Sequence, residues 1–321
     1  MKKAISIALC LTMMFCFLTA CSGGKDEGPI KVGIINNPPD ESGYREANVK
    51  DFERVFTEEN GYDARTFYSD NHNAQLNAAR EFIEAGVNYL LISAASSDGW
   101  DTVLKSAKDA GIRVFLFDRM INCSEDLYEA AVVSDMAFQG DLAVRWLKEQ
   151  NLPVYNVIHI QGSMGTDAQI GRTAALDREF ASGTMKKVVQ ESAAWDEDDA
   201  ADIVRTVIKS GADFNVIYAE NDGMARGAVT ALSEAGISHG VNKDVVIMGF
   251  DANKWALREL LAGNWNYNGQ CSPFQASVID EMIKKLEAGQ TLTTKKVISE
   301  EKGFDARTIT QTDIDTYGLG D

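Results

Sequence analysis

Histidine is almost missing from this chain: only His72, His159 and His239 occur in 321 residues, and none sits at metal-ligand spacing from another. The sequence also lacks a G-x-G-x-x-G turn and a strand-to-helix nucleophile elbow of the G-x-S-x-G kind, which removes the common signatures of dinucleotide enzymes and α/β hydrolases. Basic residues are short: 31 Lys+Arg stand against 48 Asp+Glu, a formal net charge of −17. Such a chain, with no basic stripe, has little to set against nucleic-acid phosphates or an anionic lipid surface. No apolar run after the first twenty residues is long enough to span a bilayer. With only five prolines, no proline-rich linker divides the chain. Its length nevertheless exceeds what one core usually serves, which predicts two lobes.

What is present begins with MKKAISIALCLTMMFCFLTAC. Two lysines, an apolar stretch and a small-residue cleavage site have the form of a secretory signal over 1–20. LTAC resembles the bacterial lipobox, whose cysteine becomes the lipidated first residue, here Cys21. The polar run SGGKDEG then reads as a tether over 21–29. The expectation is an extracytoplasmic protein held to the cell membrane through lipidated Cys21. Cys10 and Cys16 leave with the signal. Cys123 and Cys271 can pair outside the cell, or each can stand as a small buried apolar group.

Short strand-like runs alternate with helical ones: KVGII, DARTFYS, YLLIS, RVFLFD and EAAVVS, then YNVIHIQG, KKVVQES, NVIYAE, DVVIMGFD and WNYNGQ. Apolar residues between them recur at three and four. Gly86, Gly111, Gly211, Gly236 and Gly263 stand where C-caps belong. This predicts an α/β fold with parallel sheets covered by helices on both faces. The alternation occurs twice, over roughly 30–134 and 135–270, and a helix over 274–286 and a strand over 295–299 then complete sheets already begun.

In open α/β sheets ligands bind beyond the carboxyl ends of the strands. In order, those ends carry Asn36, Asn37, Ser42, Tyr44 and Arg45; Ser96, Asp98 and Trp100; Asp118 and Arg119; Asp167 and Arg172; Trp195; Asn221 and Asp222; Asp251; and Gln270. Carboxylates, amides and arginine forks bind neighbouring hydroxyls, and aromatic faces cover a sugar's C–H surface. A polyhydroxylated ligand needs both, because each hydroxyl buried without a partner costs about 1–3 kcal/mol. Other roles are open to single members of the set. Asp98 and Asp167 suit helix caps, Asp118 and Arg119 a surface ion pair, and Trp100 and Trp195 the edge of a core. The acidic run at 196–199 lacks the glycine and terminal glutamate of a calcium loop and suits a helix N-terminus. No metal and no cofactor is expected.

Six stretches, ESGYREA (41–47), FLFDRM (115–120), GTDAQIGR (165–172), YAENDGMARGA (218–228), GFDA (249–252) and the Gln270 region, occur in order along the chain. Together they resemble periplasmic-binding-protein type I sugar receptors of the ribose and galactose kind, especially galactofuranose-binding proteins. The resemblance implies two Rossmann-like lobes, 30–134 plus 271–298 and 135–270 plus 299–321, joined by a three-stranded hinge with crossings near 134–135, 270 and 299. It places ligand contacts on Tyr44, Arg45, Asp118, Arg119, Arg172, Asn221, Asp251 and Gln270, with Trp195 at the aromatic position of the second lobe. Residues 36–40 depart from the galactofuranose pattern through paired prolines, and Gln270 stands where that subgroup carries an acid. The implied function is not catalytic: a monomer closes on a monosaccharide and delivers it to an ABC permease with a cytoplasmic ATPase. A sensory receptor that presents its closed form to a membrane kinase or chemoreceptor would have the same sequence. Repressors that share this core carry a DNA-binding headpiece where this chain has its lipobox-like segment.

Overall fold

A computed structural model describes residues 28–320. The signal, Cys21 and most of the tether lie outside the described residues. In chain order the elements are β1 (Ile30–Asn36), α1 (Gly43–Val55), β2 (Tyr62–Tyr68), α2 (His72–Glu84), β3 (Tyr89–Ile92), α3 (Asp101–Asp109), β4 (Arg113–Asp118), β5 (Ala130–Val133), α4 (Met136–Glu149), β6 (Asn156–Gln161) and α5 (Asp167–Ser182). They continue as β7 (Lys186–Ser192), α6 (Glu197–Ser210), β8 (Val216–Ala219), α7 (Asp222–Glu234), β9 (Val246–Asp251), α8 (Lys254–Leu261), β10 (Tyr267–Gln270), α9 (Ala276–Glu287), β11 (Lys296–Ile298), β12 (Gly303–Asp305) and α10 (Gln311–Tyr317).

Two six-stranded sheets result, ordered β2-β1-β3-β4-β5-β11 and β7-β6-β8-β9-β10-β12. Central strands such as YLLI and VIMGFD are buried along their whole length, as strands covered on both faces must be. Edge strands β2 and β7 are only partly buried and carry charged residues, which suits a position with one unpaired side. Three helix starts at the cleft have polar caps: the side chains of Ser42, Thr166 and Asn221 accept backbone N–H groups at the starts of α1, α5 and α7. These caps satisfy donors that the helix itself leaves free. Both sheets change direction at the same point, between β1 and β3 and between β6 and β8, where a doubly wound sheet opens a crevice.

Three segments pass between the sheets: 134–135 from β5 to α4, 271–275 from β10 to α9, and 299–302 from β11 to β12. The carboxyl ends of the two sheets face one another. Across the gap the Met120 N–H donates to Asp167 Oδ2 at 2.9 Å and the Ser97 N–H to the Gly165 carbonyl at 3.1 Å. Asp167 therefore does not cap α5. Thr166 does, which frees the neighbouring carboxylate for the other sheet. Asp98 does not cap α3 either; it accepts from Asn122 Nδ2 at 2.7 Å.

Other differences from the sequence expectation are local. β12 and α10 are additional, and β12 is the antiparallel member of its sheet, paired with β10. The helix expected from 274 starts at Ala276, with Gln275 as its N-cap residue; the Gln275 side chain accepts from Asn48 and donates to the Ser272 carbonyl. Trp100 is fully buried and donates to the Ser96 carbonyl at 2.9 Å, so it belongs to the core. Cys123 and Cys271 are both free thiols. Among the described residues no helix is long and apolar enough to cross a membrane.

Candidate functional site

The wall built by the first sheet starts from one carboxylate. Asp118, the last residue of β4, accepts from the Tyr44 hydroxyl at 2.8 Å, the Ser93 hydroxyl at 2.8 Å and Arg45 Nη2 at 2.6 Å. Arg119 Nε lies 3.5 Å from it. Burial opposes charge on Asp118, yet the adjacent guanidinium of Arg45, and then that of Arg119, hold its carboxyl below the usual range. Burial keeps the Tyr44 hydroxyl protonated and hence a donor. Arg45 is itself fully buried, and it also reaches Glu41 at 3.1 Å and Asn36 at 2.9 Å. Glu41 accepts from Arg119 Nη2 at 3.2 Å as well, so it clamps both arginines.

The opposite wall comes from the ends of β7, β8 and β9 and from α5. Arg172 donates through Nε to Gln139 Oε1 at 2.9 Å and through Nη1 to the Glu220 carbonyl. Its guanidinium lies over the Phe250 ring at 4.7 Å. Its Nη2 lies 3.5 Å from Asp251, whose carboxylate is otherwise turned to the cleft. Asn221 caps α7 and lies 3.4 Å from the Trp195 carbonyl. Gly162 leaves room for the Trp195 indole. The indole N–H is buried and meets no hydrogen-bond partner.

Asp118, Trp195 and Asp251 have φ of 65°, 75° and 102°. Non-glycine residues in this region cost about 1–3 kcal/mol each and gather at ligand sites. The cleft they frame leaves a free cavity volume of ≈ 20 Å³ and is lined by Glu41, Ser42, Tyr44, Asp118, Arg119, Met136, Ala168, Arg172, Trp195, Asn221, Asp251 and Cys271.

Seven of the nine residues expected as ligand contacts therefore line one cleft: Tyr44, Asp118, Arg119, Arg172, Trp195, Asn221 and Asp251. Arg45 lies one layer behind, against Asp118. Gln270 ends β10 outside the lining, with its N–H bound to the Lys302 carbonyl at 2.8 Å, and Cys271 takes its place. Asp118 and Arg119 are buried, not a surface ion pair. Glu41, Met136, Ala168 and Cys271 line the cleft without being among the expected contacts. For Glu41 the signal is its place four residues before Arg45, although it precedes the α1 cap Ser42 and reaches Arg45 from outside the helix.

Nothing in this arrangement forms a nucleophile–base pair. The string GISHG at 236–240 does spell G-x-S-x-G. It joins a helix to a strand, however, and Ser238 is exposed and bonded to Asp244, whereas an elbow requires a strand-to-helix turn. Among the described residues no group of three His, Cys, Asp or Glu side chains is arranged to hold a metal ion.

Burial raises the carboxyl pKa of Asp222 to about 7 and that of neighbouring Asp251 well above the usual range. Groups raised on folding add stability that is full below their unfolded pKa and lost as pH rises through the folded value. Between about pH 7 and pH 5 the protein is therefore expected to gain stability. Below that range it loses the contribution of Asp118, whose folded pKa is depressed. Urea unfolding across pH checks this, and Asp251→Asn is expected to flatten the upper limb. A second substitution tests the indole pocket. A Cβ on Gly162 would sit 1.9 Å from a Trp195 ring carbon. Gly162→Ala is expected to turn the indole away and weaken ligand binding about tenfold, about 1.4 kcal/mol, measured by calorimetry.

A two-lobed α/β receptor with a polar, aromatic cleft between facing strand ends is the architecture of a solute-binding protein. The Periplasmic binding protein domain model matches residues 32–291, and the chain belongs to that family. It is a binding protein, not an enzyme. It is 29% identical over 232 residues to "Galactofuranose-binding protein YtfQ" of Escherichia coli K12, covering 70% of this chain and 72% of that protein. A crystal structure of a galactofuranose binding protein superposes with a TM-score of 0.82 at 27% identity, covering 90% of this chain and 98% of the other. The arabinose ABC-transporter binding protein of Shewanella sp. ANA-3, bound to L-arabinofuranose, superposes at 0.79 with 25% identity, covering 87% and 92%.

Proposed function

We propose that this protein captures a monosaccharide in furanose form between lobes 30–134 plus 271–298 and 135–270 plus 299–321, and delivers it to an ABC permease. The observation that carries the reading is a buried Trp195 N–H without a partner in a cleft whose lining also holds the Asp251 carboxylate and residues from both sheets. A ligand hydroxyl that reached them would give the N–H the acceptor it lacks and the carboxylate a donor. Asp118, Arg119, Arg172 and Asn221 add the fork-like contacts that vicinal hydroxyls take. Two of the similar structures are of proteins named for, or bound to, furanose sugars, which favours that ring form. Because these contacts come from both sheets, only the closed form makes them together, and ligand shifts the equilibrium towards closure. Cys21 would carry the lipid anchor that keeps the receptor at the outer face of the cell membrane.

The test is calorimetric titration of the chain from Gly24 onward, stripped of ligand, with pentoses, hexoses and methyl furanosides. One-to-one binding of a furanoside, lost in Asn221→Ala, is expected. Binding restricted to pyranosides would overturn the ring form, and silence across the whole panel would overturn the sugar reading.

A further inference from the structure

Two dipeptides meet where α4 crosses α5: Gln139-Gly140 and Gly171-Arg172. A Cβ on Gly140 would lie 3.0 Å from the Gly171 carbonyl oxygen, and one on Gly171 would lie 2.6 Å from the Met136 backbone. The two glycines let the helix backbones approach, and the polar neighbours then pair. Gln139 Oε1 accepts from Arg172 Nε at 2.9 Å. At its other end Gln139 Nε2 donates to Glu301 Oε2 at 2.5 Å. The second oxygen, Glu301 Oε1, accepts from Ser134 Oγ at 2.6 Å and from the Ser272 N–H at 2.8 Å. Ser134, Ser272 and Glu301 belong to the three different segments that pass between the sheets.

We propose that Glu301 is a positioning residue for ligand binding. It gathers the three inter-sheet crossings on one carboxylate and, through Gln139, orients the Arg172 guanidinium in the cleft. The inference deepens the sugar-binding reading and rests on Arg172 touching ligand. Its physical basis is polarity. Arg172 Nε–H only donates, so it requires the oxygen end of the Gln139 amide. The nitrogen end must then find an acceptor, and Glu301 Oε2 supplies it. With glutamine at 301, Oε1 still accepts from Ser134 and Ser272, but an NH₂ faces the Gln139 NH₂. Turning the Gln139 amide over moves the conflict to Arg172. Glutamate at 139 together with glutamine at 301 restores every donor–acceptor pair, because the oxygen of residue 139 then accepts from both sides.

The experiment compares the full chain with E301Q and with the double exchange Q139E/E301Q. Binding of methyl galactofuranoside is measured by calorimetry, and exchange of the Arg172 Nε–H is followed by NMR on arginine-labelled protein. E301Q is expected to weaken binding at least tenfold and to speed Nε–H exchange, and the double exchange to return both to near the parent values. An E301Q protein that fails to fold, beside a double exchange that folds and binds, supports the relay equally. Unchanged exchange in E301Q, or a double exchange as impaired as the single one, overturns it. If the parent chain does not bind this furanoside, the sugar panel decides the sugar reading separately, and the Nε–H exchange still decides the relay.

Discussion

Asp118→Ala is expected to lower the unfolding free energy by about 3–5 kcal/mol and to weaken ligand binding by about 100-fold or more, the lower end of what truncating a buried charge pair costs. Arg45 is fully buried, with Asp118 and Glu41 as its carboxylate partners. Removing Asp118 leaves the Arg45 Nη2 and the hydroxyls of Tyr44 and Ser93 without their acceptor. The cost of an uncompensated buried charge exceeds what the pair itself contributes, which is why the expected loss is large. Binding suffers separately, since Arg119 and Tyr44 line the cleft and lose the carboxylate that orients them. Asp118→Asn separates the two effects. It keeps the shape and one acceptor but not the charge, so stability should fall less than in Asp118→Ala while affinity still falls. Urea unfolding read beside calorimetric titration makes the comparison. An Asp118→Ala protein as stable as the parent would mean that Arg45 reaches water, contrary to its burial here.

The βα alternation was legible because strands buried on both faces have to be nearly continuous apolar runs, and YLLI and RVFLFD are such runs. Their helices were legible from capping chemistry, as with Asn221 before α7. β12 was not, because three residues pairing antiparallel at a sheet edge leave no periodic trace, and Gly303-Phe304-Asp305 owes its conformation to the neighbouring β10. The candidate contacts were legible as strand-end positions, but their depth was not. Tyr44 and Arg45 are adjacent on α1, yet one lines the cleft and the other supports Asp118 from behind. That layering follows from packing against β4, more than seventy residues away in sequence.

The same limit explains Gln270 and Glu301. A strand end marks a region, and which of two successive side chains enters the cleft depends on how the chain turns into the next segment. Here the Gln270 N–H is fixed by Lys302, and Cys271 becomes the lining residue. Glu301 carries no motif at all. Its three donors come from residues 134, 139 and 272, and the sequence separates these from it by roughly 30 to 170 positions. Side chains that tie crossings together become visible only once the sheets are assembled.

Gly171→Val is expected to cost about 3 kcal/mol or more of stability, at or beyond the upper end of what overpacking a tight contact costs, and to weaken binding in the same protein. The position is helical, and replacing a helix-interior glycine alone would favour folding, by up to about 1 kcal/mol for alanine and less for valine. Packing decides the sign. The new Cβ would meet the Met136 carbonyl carbon at 2.6 Å and the Ala137 nitrogen at 2.7 Å. Both are backbone atoms that cannot rotate away, so α5 has to move off α4. Met136 opens α4 directly after the 134–135 crossing, and Arg172 follows Gly171, so the displacement separates Arg172 Nε from Gln139 Oε1 and shifts the guanidinium against Asp251. Gly223→Ala is the control. It is also helical, but its Cβ would have only ordinary contacts of 3.7–3.8 Å, so propensity alone should act and stability should hold or rise slightly. Thermal and urea unfolding of both variants, each followed by calorimetry, carries the test. A Gly171→Val protein as stable as Gly223→Ala would show that α4 and α5 have slack between them, and the close helix contact would no longer explain how Arg172 is held in the cleft.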